Sequence, residues 1–172
     1  VRIGRVSYAP PAGISLEGIE TEGSRPDPSF SILRINRLVI SYGLLNLLRR
    51  NFEVPDRVVL YQPRFHFAAG TSERPILDST LSVSGMVPTA LGIRDGEFHY
   101  PWGAGGKELV LRKVNLEAKP DVRGQIRLKF VSELGGVAQG RAEAEGFTDP
   151  KFRRYGLEIE FKKVTFLPES QV

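Results

Sequence analysis

Alternation of apolar and polar residues with a period of two is the dominant pattern along this chain. In residues 124–130, Ile126, Leu128 and Phe130 alternate with charged or amide side chains. Successive side chains of a strand point to opposite faces, so the run predicts a strand with one apolar and one polar side. Residues 140–146 and 157–162 repeat the rule. Three successive antiparallel strands are therefore predicted, and they share one apolar face.

Further strands are predicted upstream, at residues 1–6, 14–20, 31–41, 58–61, 97–102 and 108–118. We expect Pro63 to end the 58–61 strand or to confine it to a sheet edge, because proline cannot donate to a ladder. The pair Asp95-Gly96 predicts a turn before the 97–102 strand, and residues 134–136 predict another.

One segment has helical rather than strand periodicity. Residues 43–50 place Leu44, Leu45, Leu47 and Leu48 at spacings typical of a short amphipathic helix. Residues 68–88 mix apolar residues with proline and glycine, and we assign no element there.

The fold class predicted is mainly β: a long antiparallel sheet, twisted or curled into a groove or half-barrel, with one short α-helix near residues 43–50. The length of 172 residues favours a single unit. Residues 1–67 would form a strand-helix-strand cap region, and residues 90–168 an antiparallel meander. Because the chain opens in the middle of an alternating run, we expect it to be a fragment of a larger protein.

Composition excludes several kinds of chemistry. The chain has no cysteine, which removes disulfides and thiolate metal sites. Its 24 basic and 20 acidic residues are scattered along the sequence, so no nucleic-acid partner is expected. No run approaches the roughly 18 apolar residues of a spanning helix.

Candidate catalytic groups all have a simpler structural interpretation. His66 and His99 lie in alternating runs without metal-ligand spacing, and we interpret both as strand-surface residues. Residues 103–106 form a glycine-rich hairpin loop rather than a phosphate cradle, and Ser82 and Ser84 lack a nucleophile elbow. The carboxylates Asp95, Glu97 and Glu108 suit turns and strand surfaces. We therefore predict no enzyme activity, no cofactor and no metal site.

A strand at 35–41 is followed by a leucine-rich helix at 44–48 and by a strand at 52–63 that ends in Pro63. This order resembles the N-terminal region of AsmA-like and TamB-like envelope proteins. The later strands with glycine turns match that layout, so the resemblance covers most of the chain. It implies an elongated β-groove that shields phospholipid acyl chains between two membranes. It also implies a periplasmic or cell-envelope location, a membrane anchor outside this segment and other envelope proteins as partners.

If the groove exists, its lining is predicted to be the inward sets of the later strands: Leu109, Leu111, Ile126, Leu128, Phe130, Leu157, Ile159 and Phe161. The alternative is a structural or protein-interaction β-domain whose apolar face is a packed core. The small inward residues Ala142 and Ala144 favour a cavity, because a filled core requires large side chains on every strand.

Overall fold

Nine strands form one sheet in the computed structural model, which describes residues 1–22, 30–43, 46, 48, 55–67, 89–102, 106–149 and 155–167. The first four strands are β1 (Arg2–Tyr8), β2 (Gly13–Glu22), β3 (Phe30–Ser41) and β4 (Arg57–Phe67). The other five are β5 (Ala90–Pro101), β6 (Glu108–Pro120), β7 (Ile126–Gly136), β8 (Ala138–Thr148) and β9 (Tyr155–Phe166). The prediction of a mainly β fold is confirmed.

The strands lie in the sheet in chain order, with β1 and β9 at its two ends, so the sheet is not closed. Seven of the eight neighbouring pairs are antiparallel, as alternation between tight turns predicts. The exception is β4–β5, which is parallel. Parallel neighbours need a crossover of a dozen or more residues, and the long segment 68–89 between these two strands meets that need.

Two turn and boundary predictions are wrong for one shared reason, a left-handed residue inside a strand. Asp95 and Gly96 lie within β5 rather than in a turn, because Asp95 takes φ 55° and forms a bulge there. Pro63 lies inside β4, which pairs on both sides. It directly follows Gln62, whose φ of 50° interrupts the regular strand geometry, and such an irregular position is where a strand tolerates proline.

The turn predicted at residues 134–136 falls slightly later in the structure. Residues 134–136 belong to β7, and the reversal falls at Gly136 and Val137, with Gly136 at φ 75°. A Cβ at Gly136 would lie 2.0 Å from the carbonyl oxygen of Glu108, so glycine is required there for packing as well as for conformation.

Several predictions fall on residues that the structure does not describe. Of the predicted helix 43–50, Asn46 and Leu48 are helical, while Leu44, Leu45 and Leu47 lie outside the described residues. Residues 68–88, with Ser82 and Ser84, and residues 103–105 of the glycine-rich loop also lie outside. No helix in the described ranges has the length and apolarity needed to cross a bilayer.

Candidate functional site: an apolar sheet face

Strand register brings one apolar residue from every strand into a continuous row across the sheet. Directly paired residues on neighbouring strands share a face, so the pairing partners define the row. From β1 to β9 the row consists of Val6, Leu16, Leu38, Leu60, Ile93, Leu116, Phe130, Ala144 and Ile159. All nine members are apolar, so the row is one uninterrupted apolar stripe.

A second row, two residues along each strand, has the same character. It consists of Tyr8, Ile14, Ile40, Val58, Leu91, Ala118, Leu128, Gly146 and Leu157. We call the surface that carries both rows the apolar face. With neighbouring strands about 4.8 Å apart, eight intervals give each row a path of roughly 38 Å.

Bulges keep the apolar face continuous towards the other end of the strands. In β6, Leu116 and Leu111 are five residues apart and would face opposite sides of a regular strand. Lys113, at φ 50°, shifts the register there, so that Leu111 pairs with Leu134 and Leu116 with Phe130. Leu134 and Phe130 lie four residues apart in β7, on one side of that strand. Both halves of β6 therefore contribute to the same face.

All eight sequence-predicted groove residues lie on this apolar face. Leu128 and Leu157 flank Gly146, Phe130 and Ile159 flank Ala144, and Phe161 pairs with Ala142. The remaining three are placed by their strand partners: Leu109 opposite Gly136, Leu111 opposite Leu134, and Ile126 opposite Pro120. The face also includes residues of β1 to β5 that the prediction did not name.

Burial on the apolar face is deep in the middle and shallow at both ends of the sheet. Val114 is fully buried, and a Cβ at neighbouring Gly96 would lie 3.0 Å from Ile93 Cγ2 and 3.3 Å from Pro63 Cγ. At the two edge strands, by contrast, Val6 is 64% exposed and Ile159 is 52% exposed. The apolar face is therefore exposed where it reaches the two edge strands.

No second layer packs on this face within the described ranges, because substantial contacts join only neighbouring strands of the sheet. Ala142 and Ala144 are buried between their register partners on β7 and β9. The open apolar surface lies at β1 and at β9, where Leu157, Ile159 and Phe161 are each more than half exposed.

An aromatic cluster ends the apolar face on β4 and β5. Phe65 packs edge-on against Phe98 with ring centroids 4.8 Å apart, and Phe67 stacks on Tyr100 at 4.1 Å. Burial raises the pKa of the Tyr100 phenol above its ordinary value. Tyr100 nevertheless keeps about a third of its surface exposed, and Trp102 beside it is about half exposed.

The opposite surface, which we call the polar face, carries cross-strand ion pairs. Lys129 Nζ lies 2.8 Å from Glu145 Oε1, and Lys162 Nζ lies 2.8 Å from Glu143 Oε2. The hydrogen bond from Lys162 holds the pKa of Glu143 below its ordinary value, and the same bond, together with one to Glu160, raises the pKa of Lys162. Such exposed pairs suit a surface that faces water.

The bulges also shape a cleft of about 670 Å³ on the polar face. Its floor follows a chain of side-chain hydrogen bonds in which Asn36 donates to Gln62 at 2.9 Å and Gln62 donates to Asp95 at 3.1 Å. Its walls pair Arg34 with Glu20 and Arg64 with Glu97. The lining carries four basic and three acidic side chains, an excess of one positive charge that selects only weakly for a charged ligand.

The parallel pairing of β4 and β5 brings together two residues that sequence reasoning treated separately. His66 and His99 are register partners, and their rings stack at 4.1 Å. His99 Nδ1 lies 2.9 Å from Glu108 Oε2, and His99 Nε2 lies 3.0 Å from Glu97 Oε1. The sequence contains no signal for this grouping, because a crossover of undetermined register separates the two strands.

No protein-family model matches the chain, and a search of curated proteins finds no significant relative.

Proposed function

We propose that this chain is a non-catalytic lipid-handling module, in which the apolar face shields the acyl chains of phospholipids or similar lipids. The observation that carries the proposal is the continuous apolar face, which spans nine strands and is exposed where it reaches β1 and β9. An apolar sheet face is stable only when a helix, another sheet or a ligand covers it.

Burial of methylene groups supplies the free energy for an acyl chain to cover this face. Each methylene taken from water contributes about 0.8 kcal/mol, so a dozen methylenes contribute roughly 10 kcal/mol before the costs of ordering are subtracted. The exposed ends at Val6 and Ile159 offer apolar side-chain surface for that contact. No bond needs to be made or broken in this role.

The place of this role in the cell follows from resemblance rather than from the site. The strand-helix-strand order and glycine turns are similar to those of AsmA-like and TamB-like proteins. On that basis we propose a cell-envelope module, located in the periplasm, that supports outer-membrane biogenesis or phospholipid transport as part of a larger membrane-anchored protein.

A second candidate function is supported by the sheet edges. In the described part of the chain, β1 and β9 each pair on one side only, and both carry exposed apolar residues. Unpaired edges of this kind accept further strands. The chain would then be a structural β-domain whose apolar face continues into a neighbouring unit of an envelope assembly.

Lipid extraction and native mass spectrometry distinguish the two candidates. The protein is purified from a bacterial host without detergent, as wild type, as Ile159→Glu and as the control Thr165→Glu. Ile159 is on the apolar face, whereas Thr165 is exposed on the polar side of the same strand. We expect phospholipid to co-purify with the wild type and with Thr165→Glu, and to be lost from Ile159→Glu.

Circular dichroism and urea unfolding show whether each variant keeps its fold. A lipid-free wild type that unfolds cooperatively would contradict the lipid-handling role and favour the structural domain. Equal lipid content in both folded variants would show that the apolar face of β9 does not hold the lipid.

A further inference from the structure

We propose that His66, His99 and Glu108 form a binding site for a divalent transition metal ion of the Zn²⁺ type. Each residue offers one ligand atom, and these atoms all lie within 4.8 Å of one another. Zn²⁺ binds imidazole nitrogen and carboxylate oxygen at about 2.0–2.2 Å, so three ligands around one ion lie a little over 3 Å apart. A closing movement and a turn of the His66 ring bring the donors to that spacing.

Three neighbouring strands hold the three ligands. His66 and His99 come from the parallel pair β4 and β5, at matching register positions. Glu108 begins β6 and pairs with Pro101, two residues beyond His99. Ligands placed on paired strands are positioned by the sheet rather than by loops, which limits the entropy that metal binding has to overcome.

The outer contacts of His99 match those of a metal-bound imidazole. Its Nε2 faces Glu97 Oε1 at 3.0 Å, and Glu97 in turn lies 3.7 Å from Arg64 Nε. A carboxylate that accepts the second ring N–H fixes the tautomer and raises the basicity of the other nitrogen, as in many zinc sites. That other nitrogen, Nδ1, is the one beside Glu108.

Burial and charge also favour a cation at this point. The His99 side chain is 18% exposed, and its register partner Val110 is buried. The carboxylates of Glu97 and Glu108 both contact His99, and Arg64 pairs with Glu97. The imidazole rings stack with 17° between their planes. Because a shared ion must lie near both ring planes, the His66 ring has to turn out of the stack when metal binds.

Zn²⁺ titration followed by ¹⁵N NMR of the histidine rings tests the site directly. The chain has two histidines, so each ring signal can be assigned with one variant. We expect one equivalent of Zn²⁺ to shift the signals of both rings. Zn²⁺ that leaves both rings unperturbed at one equivalent would overturn the proposal, and this readout does not depend on any variant folding.

Calorimetric titration with Zn²⁺ then compares variants. We expect His99→Gln and Glu108→Gln each to weaken binding at least 10-fold, and Glu97→Gln to weaken it about 10- to 100-fold through loss of the outer contact. The control is Glu145→Gln, which removes a carboxylate elsewhere on the polar face. Undiminished affinity in a folded His99→Gln variant, or an equal loss in the control, would mean that Zn²⁺ binds the surface without this site.

Discussion

Replacing Lys163 with glycine is expected to stabilise the protein, although glycine normally weakens a strand. Lys163 lies in the edge strand β9 with φ 53°, where the pairing with β8 shifts by one residue between Gln139 and Arg141. A left-handed conformation brings the Cβ of an L-residue too close to its own backbone. Glycine has no Cβ and adopts this conformation freely.

The expected change in the free energy of unfolding follows from two opposing costs. The left-handed conformation costs a residue with a Cβ about 1–2 kcal/mol. Glycine in a strand loses about 0.5–1 kcal/mol relative to alanine, because its unfolded state is more flexible. The difference favours glycine over alanine at this position by roughly 0.5–1 kcal/mol. For a chain of this length that corresponds to about 2 °C in the melting temperature.

Urea unfolding followed by circular dichroism measures the effect, with Lys163→Ala as the matched control. Both variants lose the same charge and the same long side chain, so their difference isolates the backbone. We expect a higher midpoint urea concentration for Lys163→Gly than for Lys163→Ala, and the same dependence of the unfolding free energy on urea concentration in both variants. An alanine variant as stable as the glycine variant would refute the left-handed conformation at residue 163, and with it the bulge in β9.

Two further substitutions test buried and ionised groups. Ser132→Ala should raise the free energy of unfolding, measured in urea, by up to about 1 kcal/mol, because the buried Ser132 Oγ has no hydrogen-bond partner in the described residues. A loss of stability in this variant would show that the hydroxyl is hydrogen-bonded. Desolvation raises the pKa of Asp121, but backbone N–H groups of Arg123 and Gln125 and the Arg127 side chain outweigh it and leave the pKa below its ordinary value of 3.8. A lowered pKa stabilises the folded state above pH 3.8 and stops doing so as the pH falls through the folded value. The stability lost in Asp121→Asn should therefore be larger at pH 6 than at pH 3, and an equal loss at both values would contradict the shift.

Local alternation determined much of this fold from the sequence. The runs around Leu128, Phe130, Ile159 and Phe161 predicted strands with one apolar side, and the structure places those residues on one face. This succeeded because side-chain direction in a regular strand depends only on its own residues. The eight predicted groove residues therefore share a face without any knowledge of the strand order.

Tertiary structure alone decided three other features. The left-handed residues Gln62, Asp95 and Lys113 shift the alternation within β4, β5 and β6, and no local signal distinguishes such a bulge from a turn or a strand end. The parallel pairing of β4 with β5 follows from a crossover whose register no alternation pattern encodes. That pairing brings His66 beside His99, 33 residues away in the chain. The apolar sides of individual strands could thus be predicted from the sequence. The continuity of the apolar face across the bulges and the proposed metal site could not, because both depend on long-range register.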